Sequence, residues 1–248
     1  MGVIRTSDFK EKLYSILSPY DSKHLNLMIS GGSLLKDLDY SKYKDLDSSK
    51  WKIFFADERC NTKYLNFEGA LPFIKSLDAM VYPILPICLM KEAKENCCNL
   101  RFDQSYECKC RKKENNPEEC RKSFTNDDAI EEKKIIELRD RYEKIMSNTD
   151  VVKAIDICLL GIGDNGHICS LWPESESLLS NRFVENVNVD CPLSRNRITV
   201  TLKLLNELVK SLYFVIPPKK GKPQSVSEPH ESIRKKITIK YDVILPEK

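Results

Sequence analysis

Ile155-Asp156-Ile157-Cys158-Leu159-Leu160-Gly161-Ile162-Gly163-Asp164-Asn165-Gly166-His167-Ile168-Cys169-Ser170-Leu171-Trp172-Pro173 decides how this chain is read. Its first six residues are almost wholly apolar, the pattern of a strand covered on both faces in the middle of a parallel sheet. Gly161, Gly163 and Gly166 then crowd a tight turn around His167, one of the 3 histidines in the chain. Glycines let the backbone take positive φ and come close to a ligand. A histidine held in such a turn is a ready general base near neutral pH. In α/β proteins the turn leaving a strand's carboxyl end is where ligands bind. The stretch therefore predicts both a central strand and a site.

Outward from this turn the same strand–loop–helix order recurs. Ser7 is the expected cap of a first helix whose Phe9, Leu13, Ile16 and Leu17 share one face. His24 to Ser30 reads as a strand that ends at Gly31-Gly32, and Lys52 to Ala56 as a second strand followed by an Asp57-Glu58-Arg59 turn. Phe67 to Leu77 suits a helix, and Tyr82-Pro83-Ile84-Leu85-Pro86 a proline-limited edge segment. Asp127 to Met146 puts Ile135, Leu138, Tyr142 and Ile145 on one helix face. Strands are expected at Arg197 to Thr201, Ser211 to Ile216 and Ile237 to Leu245, with a short helix near Leu204 to Val209. This order predicts an α/β fold: a doubly wound, mainly parallel sheet with helices on both faces, in a single domain. The G-x-G-x-x-G pattern of a dinucleotide site is met at neither Gly31 nor Gly161.

Composition narrows the class. The 248 residues suit one large α/β domain with a sizeable core. Lys and Arg number 40 against 37 Asp and Glu, a net charge of +3 that leaves no footprint for wholesale nucleic-acid binding. No apolar run approaches the ~20 residues that cross a bilayer, and Met1 to Thr6 lacks the apolar core of a signal peptide. A cytoplasmic protein with no membrane partner is expected. The 10 cysteines complicate that picture. Cys88, Cys97, Cys98, Cys108, Cys110 and Cys120 cluster in or beside a charged, Asn- and Lys-rich insertion at about 91–126. Reduced surface thiols are the expectation there, with a local disulfide or a zinc site as the alternatives. Cys60, Cys158, Cys169 and Cys191 fall in strands or turns and read as buried thiols.

Gly161 to Pro173 resembles the G-x-G-x-[DN]-G-H-x-x-S-L-[FW]-P signature of 6-phosphogluconolactonases. Three further segments agree in type and order. Ile29-Ser30-Gly31-Gly32-Ser33-Leu34 resembles that family's first phosphate loop, Phe54-Phe55-Ala56-Asp57-Glu58-Arg59-Cys60 its strand with D-E-R, and Arg197-Ile198-Thr199-Val200-Thr201 its R-I-T strand. The resemblance implies a modified Rossmann-like fold, shared with glucosamine-6-phosphate deaminases, and a lactonase-like α/β domain over 1–248. It also implies hydrolysis of 6-phospho-D-glucono-1,5-lactone (6-phosphogluconolactone) to 6-phosphogluconate in the oxidative pentose phosphate pathway, with neither metal nor organic cofactor.

Such a reaction asks for a base, donors facing an oxyanion, and cationic or N–H groups for a phosphate. His167 is the candidate base, with Asn165 beside it. Backbone amides around Gly163 to Gly166, or at Gly31-Gly32, are candidates for the oxyanion. Ser33, Arg59 and Arg197 are candidates for phosphate or sugar hydroxyls, and Lys220 is a further phosphate partner. Glu143 falls where the family often carries Tyr-Glu, a hydroxyl-binding candidate. Some protozoan parasites fuse this lactonase to glucose-6-phosphate dehydrogenase. The resemblance thus implies that enzyme as a fused or associated partner, and this chain as one domain of a longer polypeptide.

The chain departs from the family in three places. Most members carry aspartate where this chain has Asn165, which orients an imidazole without adding negative charge; Asp164 next door is the candidate to supply it. Arg59 to Asn66 is shorter than the usual D-E-R to S-N spacing. After Ile216, Pro217-Pro218-Lys219-Lys220 replaces the usual G-x-x-K turn. Two other readings stay open. A deaminase would share the N-G-H-I spelling but continue toward F-N-E-P, where this chain has Ser170-Leu171-Trp172-Pro173. A phosphosugar-binding domain without turnover would have Asn165 and the altered lysine turn as its support.

Overall fold

The apolar runs of the sequence become one sheet in the computed structural model, which describes residues 2–31, 34–35, 38–61, 65–86, 100–103, 125–126, 129–191, 194–217 and 226–247. The strands, in chain order, are β1 (Gly2–Thr6), β2 (Leu25–Ile29), β3 (Trp51–Phe55), β4 (Asp57–Arg59), β5 (Met80–Tyr82), β6 (Arg101–Phe102), β7 (Thr125–Asn126), β8 (Ala129–Ile130), β9 (Ile155–Gly161), β10 (Val184–Asn188), β11 (Asn196–Val200), β12 (Val209–Val215) and β13 (Tyr241–Pro246). The helices are α1 (Phe9–Leu17), α2 (Tyr40–Lys44), α3 (Asn66–Ile74), α4 (Glu132–Met146), α5 (Leu202–Leu208) and α6 (Glu231–Arg234).

Eight strands form the main sheet in the order β1-β13-β12-β9-β2-β3-β5-β6, and every pairing is parallel. From β2 the chain winds outward through β3, β5 and β6. It then returns to place β9 on the other side of β2 and winds away through β12 and β13. The winding thus reverses between β2 and β9, the arrangement in which crossovers of one hand cover opposite faces of a parallel sheet. Both strands at that point are deeply buried, with Leu25, Leu27, Met28, Ile29, Leu159 and Leu160 all inaccessible to solvent. Tyr142 of α4 locks the end of β3, its hydroxyl accepting the Phe55 N–H at 3.0 Å and donating to the Phe55 carbonyl at 2.8 Å.

Several elements differ from the sequence expectation, each for a local reason. Asp57-Glu58-Arg59 is a strand, because it pairs antiparallel with Arg197–Thr199. Strands β4, β11 and β10 form a separate three-stranded antiparallel sheet, apart from the parallel one. The Tyr82 segment is no edge: β6, from within the polar insertion, pairs outside it. Leu100 is buried there, and the Phe102 ring lies 6.3 Å from that of Phe67. The six cysteines of that region lie outside the described residues. Asp8, not Ser7, caps α1 through the Glu11 N–H at 2.9 Å. Strand β1 went unmarked because its alternate residues face outward, Val3 among them. Among the described residues, no helix is long and apolar enough to cross a membrane.

Candidate active site

Strand β9 runs out at the switch point, and its glycine turn is built by its own backbone. Ile162 bridges Ile168, the Gly163 N–H donates to the His167 carbonyl at 2.9 Å, and the Gly166 N–H donates to the Gly163 carbonyl at 2.9 Å. Gly166 has φ +82°, in the left-handed region that glycine favours. A Cβ there would also meet the His230 backbone nitrogen at 2.7 Å. At Gly163 a Cβ would fall 2.0 Å from Cε1 of His167, so the missing side chain is what leaves room for the imidazole. The amides of both glycines are bonded inside the turn. This corrects the expectation that they face a ligand: Gly163 and Gly166 shape the turn.

His167 is held in one tautomer. Oδ1 of Asn165 lies 2.5 Å from Nδ1 of His167 and 3.2 Å from the His167 backbone N–H. A backbone N–H only donates, so the amide must turn its oxygen this way. That oxygen can only accept, so Nδ1 carries the proton and Nε2 keeps its lone pair. The ring lies parallel to Trp172, planes 2° apart and centroids 5.0 Å apart. Burial pushes the His167 pKa below the ordinary imidazole value; Asp57 opposes this, Arg197 adds to it, and Asp164 opposes it more weakly. At neutral pH the ring is therefore neutral, with Nε2 available as a base.

Behind the turn lies a buried polar floor. Ser170 donates its hydroxyl to Asp57 at 2.7 Å, and its own oxygen receives Arg197 Nη1 at 3.4 Å. Arg197 Nε donates to the Ser194 carbonyl at 3.3 Å. Asp57, Ser170 and Arg197 are each buried. The register sets Arg59 directly opposite Arg197, so both guanidinium groups leave the same face of the small sheet. Gly31, at the end of β2, lies so near α3 that a Cβ would come within 2.3 Å of the Asn66 side chain.

The structure thus gathers His167, Asn165, Gly163, Gly166, Arg197, Arg59 and Gly31 around the ends of β2, β9 and β4. Gly32, Ser33 and Lys220 lie outside the described residues. Glu143 belongs elsewhere: its carboxylate accepts the Phe183 and Val184 N–H groups at 3.1 and 2.6 Å, tying α4 to β10. Asp57, Ser170 and Trp172 were not singled out by sequence reasoning, although all three lie inside the quoted motifs. A cavity of about 570 Å³ adjoins the site, sharing Ser170 and Trp172 and running past Leu179, Asn186 and Asp190. Cys60, Cys158 and Cys169 are buried and their thiols pushed up by that burial, while Cys191 is only partly covered. No group of three or more His, Cys, Asp or Glu side chains is gathered for a metal among the described residues.

Comparison with known proteins bears on the same regions. A family model described as glucosamine-6-phosphate isomerases/6-phosphogluconolactonase matches residues 109–227. A probable 6-phosphogluconolactonase of Schizosaccharomyces pombe is 29% identical over 199 residues, 76% of this chain and 65% of that protein. Probable 6-phosphogluconolactonase 4 of Arabidopsis thaliana is 27% identical over 195 residues, 74% of this chain and 63% of that protein. The chain thus matches less than two thirds of the length of either relative. The crystal structure of 6-phosphogluconolactonase from Leishmania guyanensis superposes with a TM-score of 0.60 at 16% identity, covering 99% of this chain and 96% of that one, a likeness of fold. These matches and the ordered motifs agree: the chain is similar to the glucosamine-6-phosphate isomerase/6-phosphogluconolactonase family, and its fold is like that of a solved 6-phosphogluconolactonase.

Proposed function

We propose that this chain hydrolyses 6-phospho-D-glucono-1,5-lactone to 6-phosphogluconate, the lactonase step of the oxidative pentose phosphate pathway. The observation that carries the reading is the fixed tautomer of His167, whose Nδ1–H is held by Asn165 at 2.5 Å while Nε2 is left with its lone pair. A water on Nε2 gives up a proton as its oxygen bonds to the lactone carbonyl carbon. The carbonyl electron pair moves to oxygen, giving a tetrahedral oxyanion. Collapse restores the carbonyl and breaks the bond to the ring oxygen, which takes the proton back from the imidazolium. The product acid then ionises. Asp57 and Asp164 favour the transient imidazolium.

Arg59 and Arg197 hold the phosphate and sugar hydroxyls in this reading. Gly31, with Gly32 and Ser33, forms the loop that receives the phosphate, and Lys220 adds a cation; the last three are assigned from their motifs. The resemblance further supports a single catalytic α/β domain, a cytoplasmic setting and a glucose-6-phosphate dehydrogenase, fused or associated, as supplier of the lactone.

The test is loss of freshly generated lactone above its spontaneous hydrolysis, with wild type and His167→Ala. Rapid loss is expected from wild type, reduced by about 100-fold or more in the variant, and glucosamine 6-phosphate should not be consumed. No loss above background, with 6-phosphogluconate still bound, would overturn turnover and leave a phosphosugar-binding domain.

A further inference from the structure

Glu58 is 2% exposed, lies in the D-E-R strand between two residues of the site, and has no part in the chemistry above. Its carboxylate receives three backbone N–H groups. Oε1 accepts from Arg59 at 2.8 Å and from Asn66 at 2.7 Å, and Oε2 accepts from Phe67 at 2.9 Å. Asn66 and Phe67 open α3, whose capping position is occupied by Leu65 and has no side-chain cap. Helices α1, α2 and α5 are each capped by the side chain just before them, from Asp8, Asp39 and Thr201. Helix α3 is instead capped from the site, by a carboxylate buried at a real desolvation penalty. Helix formation alone does not require that arrangement.

Its geometric consequence is a three-way tie. One oxygen holds both ends of the 59–66 segment, so the backbone of Arg59 is fixed against the head of α3. Asn66 adds a second strut, its side-chain amide donating to the Asp57 carbonyl at 3.0 Å. Gly31 then packs on Asn66 without room for a Cβ, since that atom would lie 2.3 Å from Asn66 Cβ and 2.6 Å from its Cα and carbonyl oxygen. Movement of the α3 head therefore moves the floor of the Gly31 loop and the strand that carries Arg59 together. We propose that Glu58 is the positioning residue of the phosphate-binding side of the site, setting the backbone of Arg59 and Gly31 relative to one another through the head of α3. The inference rests on the reading of Arg59 and Gly31 as phosphate-side groups.

Glu58→Gln separates positioning from mere support. Glutamine keeps the volume and one acceptor oxygen, but its NH2 end must face a backbone N–H that now lacks an acceptor. Calorimetric binding of 6-phosphogluconate and of inorganic phosphate is measured beside turnover, so the result does not depend on catalysis. The expected outcome is a Kd and KM raised by about tenfold, with kcat within about threefold of wild type and the fold retained by circular dichroism. His167→Ala should show the opposite split, with kcat lost and Kd kept. Gly31→Ala is the second variant, driving a Cβ into Asn66 from the far side of the same tie, and it should raise Kd in the same way. Wild-type Kd in either variant, or a Glu58→Gln enzyme that loses kcat with KM unchanged, would overturn the proposal. A wild type that hydrolyses lactone normally while Glu58→Gln also binds normally refutes Glu58 alone. A wild type that binds neither probe overturns the functional reading and this inference with it.

Discussion

At the scale of single residues the site turns on Asn165. Its side-chain oxygen does the orienting work, 2.5 Å from Nδ1 and 3.2 Å from the backbone N–H of His167, but it brings no charge. Asn165→Ala should release the ring to the other tautomer and lower kcat by about 10- to 100-fold, a good part of what a positioned base contributes. Asn165→Asp keeps the acceptor and adds a negative charge, which favours the imidazolium. Steady-state pH–rate profiles check both. In the proposed mechanism the base must be neutral to act, so activity should rise with pH through the His167 pKa, and the aspartate variant should carry that rise to higher pH. An unmoved profile would show that Asn165 does not act on the base. His167 and Asn165 were legible because they share one short motif. The bond from Ser170 to Asp57 was not, since its ends lie 113 residues apart and only the pairing of β4 beside the turn brings them together. For the same reason Asp57, and not only Asp164, supports charge on His167.

At the scale of elements the lesson lies in the D-E-R segment. Three polar residues after a strand read as a turn, yet the backbone N–H and carbonyl groups of Asp57 to Arg59 find a ladder in β11, which lies 140 residues on in the sequence and out of reach of any local pattern. The apolar runs, by contrast, were enough to place β2, β3, β9 and β12 within a residue or two. Burying Glu58 in this small sheet has a thermodynamic signature. Desolvation raises its pKa from 4.5 to about 7, against the three N–H groups that favour the ion. The folded state thus binds the proton more tightly than the unfolded chain. The associated stability is full below about pH 4.5, is lost as pH rises to about 7, and is flat above; a shift of that size is on the order of 3 kcal/mol. Denaturant melts of wild type and Glu58→Gln between pH 4.5 and 8 check this. The wild type should lose stability relative to the variant across the window, and parallel curves would mean that Glu58 titrates normally.

For the whole molecule, the reversal of winding between β2 and β9 explains why motifs more than a hundred residues apart converge. Gly31 and the His167 turn follow the carboxyl ends of β2 and β9, adjacent parallel strands at that point, which is where open α/β sheets hold their ligands. The same strand order makes the sheet edge expendable to the chemistry. Among the described residues β1 pairs with β13 alone and stands three strands from β9, about 14 Å away at ordinary strand spacing. Removing residues 1–6 uncovers the β13 ladder, where Val3 now lies beside Val243 and Ile4 beside Ile244, and takes the partly buried Ile4 from the core. A loss of about 2 kcal/mol, or a Tm lower by roughly 5 °C, is expected. KM and kcat should stay at wild-type values below the lowered Tm, because the described site residues lie at the ends of β2, β9 and β4 and not on β1. Calorimetry and lactone turnover on the truncated chain measure the two effects separately. A truncated chain that keeps its Tm but loses turnover would place a catalytic contribution at the edge of the sheet, contrary to a site confined to the switch point.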